Sequence, residues 1–395
     1  MRIKEFEFNL RELAGSMGDL GTLIPLSIAL ITVNGLSFTP VFLMVGLFYL
    51  VSGFYYRLPI PVQPLKVVAA VAIASPDKVT LEVMSATGII FGAFLLLLAF
   101  TGLIDQLAKL FTKPVVRGIQ LGLGLILITK GIDFIRKNEL FIQNSGDEVM
   151  VGSVAVNLII GLLGIVLVLF LLNSKRFPAA LVIVGLGIII GIAYGAFDNT
   201  VWDFGPTNME LFSPALNDYV TALFLLVIPQ IPLTIGNAII GTTDAVKAFF
   251  GKGKETQRAT NRRFAADMGV ANIATGMLGA MPMCHGAGGL AAHYRFGART
   301  GGSNIMIGLF FIIIAVAFGI VGVSILSSVP NAVLGVLLLF AGLELAILIR
   351  DVKEKQSLFI GVFIAGIGLA TTNMGIAFGA GIVVSYLLRW AKLEM

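Results

Sequence analysis

Apolar runs of about twenty residues recur along the whole of this chain, each long enough to cross a hydrocarbon layer of about 30 Å as a helix. No soluble core could hide so many. Only 12% of the residues are charged, where a soluble domain carries about a quarter. A porin-like barrel is excluded too, because barrel strands alternate in hydropathy and these runs are continuous. The sequence therefore predicts an all-α polytopic membrane protein. Its fourteen transmembrane spans are expected at 13–33, 40–56, 64–76, 80–101, 115–131, 151–172, 179–196, 217–240, 264–281, 286–294, 303–326, 331–349, 356–371 and 374–390.

Charge fixes the expected orientation. With the N-terminus inside, this topology puts on the cytoplasmic side all but five of the 27 Lys and Arg residues, the five being Lys66, Lys78, Lys130, Arg136 and Lys137. That is the positive-inside pattern. The first twelve residues are charged and lack the apolar region of a signal peptide, so both termini are expected in the cytoplasm of a multi-pass plasma-membrane protein. Residues 102–112 have apolar positions at helical spacing and are expected along the inner interface. The outer segments 132–150 and 197–216 are polar and acidic. No segment is large enough for a separate soluble domain, and the chain stops soon after its last span, so no soluble C-terminal domain is expected.

Two expected spans are unusually short, and they occupy matching places, third in the first seven and third in the second seven. Before 64–76 stands P-I-P-V-Q-P, with Pro64 suited to the first helical position, where its missing N–H costs nothing. At the start of 286–294 stands H-G-A-G-G, whose glycines let backbone approach something closely. L-I-P-L-S-I at 23–28 is echoed by Q-I-P-L-T-I at 230–235. An odd number of spans per half turns the second half upside down. The expectation is thus a pair of inverted repeats, 1–196 and 197–395, with spans three and ten discontinuous, which is the architecture of secondary transporters.

Two half-helices from such repeats would point their N-termini at one another near the midplane. Each end carries unpaired N–H groups and a partial positive charge, together a seat for a small oxyanion. Gln63, Lys66 and His285 would supply donors, and Gly286, Gly288 and Gly289 would leave main-chain N–H groups accessible. Lys66 weighs most, because a charge inside the membrane is costly and usually functional. His285 is equally readable as a satisfied buried histidine, and Cys284 as a small packing residue. Gln230, Thr234 and Asn237 share one face of span eight as cavity donors or as interhelical glue. Asp19 in G-S-M-G-D-L-G-T is the candidate for proton coupling, together with His285. Asp244, Asp267 and Glu344 are expected to pair with basic residues nearer the inner face.

Several chemistries are excluded or unsupported. There is no G-x-x-x-x-G-K-[ST] run for a nucleotide phosphate, a single Cys, and no metal-ligand spacing. Neither an enzyme, a cofactor nor a metal site is expected. The basic run 252–263 is a topogenic cytoplasmic loop rather than a nucleic-acid surface.

P-V-Q-P-L-K at 61–66, P-M-C-H-G-A-G-G-L-A-A-H-Y-R-F-G-A-R-T-G-G at 282–302 and G-D-L-G-T-L-I-P-L at 18–26 resemble the signatures of the molybdate transporter family related to the SulP sulfate permeases. The resemblance covers essentially the whole chain. It implies fourteen helices in seven plus seven inverted spans, a core and a gate domain, and an oxyanion between the starts of spans three and ten against spans one and eight. Gln63, Pro64, Lys66, Cys284, His285, Gly286, Ala287, Gly288 and Gly289 are the positions that match the motifs. The function implied is secondary import of molybdate, with sulfate and tungstate as alternative substrates, by alternating access and in a homodimer; coupling to protons is the expectation that Asp19 and His285 add. The competing readings are a uracil- or xanthine-type permease and a passive anion channel of the same fold.

Overall fold

In the computed structural model, residues 2–3, 6–108, 112–142, 148–172, 174, 178–198, 202–251 and 253–390 are described. Lys4, Lys109, Lys175, Arg176, Lys252 and Lys392, counted in the charge pattern, lie outside them. The first half carries α1 (Leu10–Ser16), α2 (Leu20–Asn34), α3 (Phe38–Tyr56), α4 (Lys66–Ala74), α5 (Leu81–Thr101), α6 (Ile104–Ala108), α7 (Lys113–Arg136), α8 (Val156–Leu171) and α9 (Ala179–Ala193). The second half opens on a continuous helical stretch, α10 (Leu216–Ala222), α11 (Ile228–Leu233) and α12 (Thr242–Phe250), joined by π-helical turns at Leu223–Val227 and Thr234–Gly241. Then come α13 (Asn261–Met277), α14 (Ala287–Phe296), α15 (Gly302–Ala317), α16 (Gly319–Ser327), α17 (Asn331–Ala346), α18 (Lys355–Thr371) and α19 (Met374–Trp390).

Among the described residues, five helical segments are long and apolar enough to cross a membrane, or seven if α1 with α2, bent by 49°, and α15 with α16, bent by 95°, each count as one span. Helices α8, α9, α18 and α19 are apolar but shorter. The expectation for 64–76 is corrected at its start: Pro64 lies in extended chain, Leu65 is the N-cap and Lys66 is the first helical residue.

Three helix pairs form the frame, and each closes on small residues spaced seven apart. Gly46 of α3 faces Gly308 of α15, where a Cβ on either glycine would come within 2.7–2.8 Å of the other's carbonyl oxygen. Gly53 faces Gly301 one step along the same seam. Between α5 and α13, Gly92 meets Gly269, and Ser85 donates to the carbonyl of Gly276 at 2.6 Å. Between α7 and α17, Gly124 meets Gly342 and Gly131 meets Gly335. A seven-residue repeat keeps one seam turned toward the partner. In lipid, where apolar side chains gain little by leaving the solvent, close backbone approach through small residues is what holds helices together.

Candidate functional site

The site begins with a strip of extended chain, Pro59 to Pro64, buried inside the bundle. Extended backbone at this depth must have its polar groups paired by protein. The prolines remove three N–H groups, leaving mainly carbonyls to satisfy, and the two His residues of the 279–302 motif do part of that. His293 Nδ1 lies 3.0 Å from the Pro59 carbonyl and His285 Nδ1 lies 2.8 Å from that of Pro61. Asn304 donates to the Ile60 carbonyl at 2.6 Å and the Tyr49 hydroxyl to that of Val62 at 3.3 Å.

From there the strip pairs with its counterpart. Gln63 and Pro64 lie antiparallel to Cys284 and Met283, and Leu65 N–H donates to the Pro282 carbonyl at 2.9 Å. Asn272 of α13 clips the second strip through two hydrogen bonds with Met283, donating to its carbonyl at 2.8 Å and accepting from its N–H at 2.9 Å. Two extended strips thus cross back to back, and each turns at once into a short helix, α4 at Lys66 and α14 at Ala287.

At both starts the first N–H groups have no helical partner. On α4 one of them is taken: Val67 N–H donates to Gln230 Oε1 at 2.9 Å, and Gln230 Nε2 donates to Thr234 Oγ1 at 2.9 Å. On α14 the N-cap is Gly286, with no side chain to cap it, and the first helical bond is Leu290 N–H to the Gly286 carbonyl, so Ala287, Gly288 and Gly289 precede the ladder.

A cavity of about 260 Å³ opens against these starts. Its wall includes Gln63 and Lys66 from the first strip and helix, Gly288, Gly289 and Ala292 from α14, Gly18, Asp19, Gly21 and Thr22 around the α1–α2 bend, Leu127 from α7, and Ala341 and Glu344 from α17. Gln63 Nε2 donates to both oxygens of Asp19, at 2.7 and 2.9 Å, which fixes the amide across the start of α14. A side chain at Gly286 or Gly289 would displace Gln63 or Asp19. A Cβ on Gly286 would collide with Gln63 Oε1, and one on Gly289 would lie 2.5 Å from Asp19 Oδ2 and 2.7 Å from Gln63 Nε2. Gly288 differs, since a Cβ there would meet nothing within 4 Å.

The structure therefore brings Asp19, Gln63, Lys66, Gly288 and Gly289 to one cavity and leaves the other expected site residues off its wall. Gln230 and Thr234 cap the start of α4 instead of facing the cavity, because an unpaired N–H of α4 needs the acceptor. Pro64 and Cys284 belong to the strips, the Cys284 thiol lying 3.8 Å from the Pro64 carbonyl. Gly286 and Ala287 form the turn into α14.

His285 is fully buried with both ring nitrogens engaged, Nδ1 on Pro61 and Nε2 3.1 Å from Asp267 Oδ2. Asp267 also accepts from the Tyr56 hydroxyl. These contacts leave His285 no nitrogen for a cavity ligand. They also correct the expectation for Asp267, whose partners are His285 and Tyr56 rather than a basic loop. Asp244 does pair with a basic residue, Lys247, at 3.6 Å. Glu344 is the residue that sequence reasoning misplaced: it stands on the cavity wall with Lys66. Its signal was a carboxylate within an otherwise apolar helix.

The second half of the 279–302 motif is a clamp on the N-terminal segment. Glu12 of α1 accepts from the Arg299 and Thr300 N–H groups at 3.0–3.3 Å, and Thr300 Oγ1 accepts from Glu7 and Gly302 N–H. The Arg299 guanidinium stacks 3.6 Å over Tyr294, which stacks in turn on Phe249.

Two short helices that start from paired extended strips, beside a cavity holding Asp19, Gln63, Lys66 and Glu344, belong to a helical membrane protein whose fold aligns with solved anion transporters. The chain aligns with the transmembrane domain of the cyanobacterial bicarbonate transporter BicA at a TM-score of 0.67 and 15% identity, covering 93% of this chain and 96% of that one. It aligns with murine Slc26a9, an anion transporter solved in the inward-facing state, at 0.70 and 14%, covering all of this chain and 70% of that one.

The chain belongs to the molybdate transporter family. The family model described as "Molybdate transporter of MFS superfamily" matches residues 11–127 and 222–345. Molybdate transporter 2 of Arabidopsis thaliana is 32% identical over 415 residues, 97% of this chain and 88% of that protein. Molybdate transporter 1 of the same plant is 32% identical over 422 residues, 98% of this chain and 90% of that protein. These relatives are transporters and not enzymes. The description names the MFS superfamily, whereas the fold aligns with the two anion transporters above.

Proposed function

We propose that this protein is a secondary active transporter that imports a tetrahedral oxyanion, with molybdate as the primary substrate and sulfate and tungstate as close competitors. The observation that carries the reading is the 260 Å³ cavity, with Lys66 on its wall beside the uncapped start of α14. A cation and converging N–H groups can replace part of an anion's hydration shell. The names of the relatives point to molybdate among such anions.

Alternating access through fourteen crossings in two inverted repeats is part of the same proposal. Under that inversion α3 corresponds to α13 and α5 to α15. The packed pairs α3 with α15 and α5 with α13 then exchange places, while α7 with α17 maps onto itself. The two strips that pair at Gln63 and Cys284 would exchange places as well. The core would comprise α1–α5 and α10–α16, and the gate α7–α9 and α17–α19, with the anion between them.

Proton coupling is the third part. Asp19 and Glu344 share the wall with a single lysine, so a dianion would meet net negative charge there unless protons enter with it. Titration of purified protein with molybdate should show saturable binding that Lys66→Ala abolishes. Wild-type affinity in that variant would sink the site assignment. In vesicles, molybdate uptake should quicken under an inward proton gradient, and equal rates with and without it would remove the proton claim.

A further inference from the structure

The 260 Å³ cavity shares part of its wall with a neighbour. A second cavity of about 320 Å³ lies between the α1–α2 bend, the C-terminal half of α14, α8, α9 and α17, and reaches Arg295 and Phe296. The two share Gly18, Gly21, Ala292, Ala341 and Glu344 on their walls. Four of these five are glycine or alanine, and the fifth is a carboxylate. At Gly21 this shared wall faces open space, since a Cβ there would meet nothing within 4 Å. Gly18, in contrast, is held close to α14, where its Cβ would lie 2.8 Å from the Ala292 carbonyl.

Resting on the reading of the 260 Å³ cavity as the anion site, we infer that the two cavities connect across this shared wall, that this neck is the passage between that site and the vestibule beside Arg295, and that Glu344 is the residue that admits or bars a dianion there. Ionised Glu344 repels a dianion passing the wall that the two cavities share, and protonated Glu344 does not. Its charged surroundings are Lys66 at the start of α4, Asp19 at the α1–α2 bend and Arg295 on α14. The remaining neighbours on the two walls are uncharged, with α7 contributing Leu127, and α8 and α9 contributing Val168, Leu171, Ala179 and Ala180. Arg117, the cation near the far end of α17, is committed to Asp351 at 2.6 Å. An anion leaving the site therefore passes from Lys66 by Glu344 to Arg295, two cations with one switchable anion between them. Because Glu344 sits on α17 and Lys66 on α4, relative movement of those helices would also change the neck.

The test is a titration of the purified full-length protein with molybdate at about pH 6 and about pH 8, together with exchange of radiolabelled molybdate in proteoliposomes. Wild-type affinity should fall as pH rises. Glu344→Gln should recover at least about tenfold of that loss, the equivalent of one pKa unit of coupling, with exchange that no longer slows at the higher pH. Glu344→Asp should keep the wild-type profile. Gly21→Val, whose side chain would project into the open neck, should slow exchange by at least about tenfold on the same scale, and it tests the passage even if Glu344→Gln fails to fold. A wild-type pH profile in Glu344→Gln, or wild-type exchange in Gly21→Val, would overturn the inference. Failure of the underlying reading looks different, because Lys66→Ala would then bind molybdate like the wild type.

Discussion

Replacing Gly289 by alanine adds one methyl group at the most crowded point of the cavity wall. Its Cβ would sit 2.5 Å from Asp19 Oδ2 and 2.7 Å from Gln63 Nε2, about 1 Å inside ordinary contact. Asp19 and Gln63 are themselves joined at 2.7 and 2.9 Å, so the methyl has to part them or push α14 away. A hydrogen bond to a charged group is worth about 1.5–3 kcal/mol. If that pair orders the amide and the start of α14 for the anion, its loss weakens binding by about ten- to a hundredfold.

Gly288→Ala is the matched control. It gains the same helix propensity as Gly289→Ala, about 0.5–1 kcal/mol, but its Cβ meets nothing within 4 Å. Isothermal titration with molybdate should rank the wild type first, then Gly288→Ala, then Gly289→Ala. Should Gly289→Ala bind as tightly as Gly288→Ala, the Gln63–Asp19 pair has no part in ordering the site.

Two further substitutions test the scaffold. His285→Ala leaves the buried Pro61 carbonyl without its donor and frees Asp267, so it should cost about 1–3 kcal/mol of stability and lower the unfolding temperature in detergent, whereas Lys66→Ala should abolish binding with little change in that temperature; the opposite pattern would return His285 to the binding site. Gly276→Leu drives a side chain into the Ser85 carbonyl, 2.6 Å from the Cβ position, and should yield aggregate on size-exclusion chromatography, while Gly366→Leu, with nothing within 4 Å, should remain monodisperse.

Much of this was legible from one dimension. Apolar runs have a length that only a bilayer explains, and each of the expected segments holds a helix. The P-I-P-V-Q-P and H-G-A-G-G interruptions marked the two short helices, because proline and glycine break backbone pairing locally and leave that trace in sequence. Lys66, Gln63 and Asp19 were identifiable because polar groups in an apolar segment are expensive.

Direction was not legible. Sequence gives His285 two ring nitrogens but not the Pro61 carbonyl and Asp267 that occupy them, and it gives Gln230 an amide but not the α4 N–H it caps. Both partners lie far along the chain, and the need they meet exists only once extended strips are buried. Glu344 shows the same limit in reverse. Its neighbours in sequence suggested a basic partner, yet packing of α17 beside α2 turned it to the cavity wall that Lys66 shares. The sequence by itself determined that the chain is a bundle of membrane helices broken at two points, since composition and backbone chemistry act locally. Only the tertiary structure decided which polar groups serve the backbone and which are left for a ligand, because that depends on where buried N–H and C=O groups find their partners.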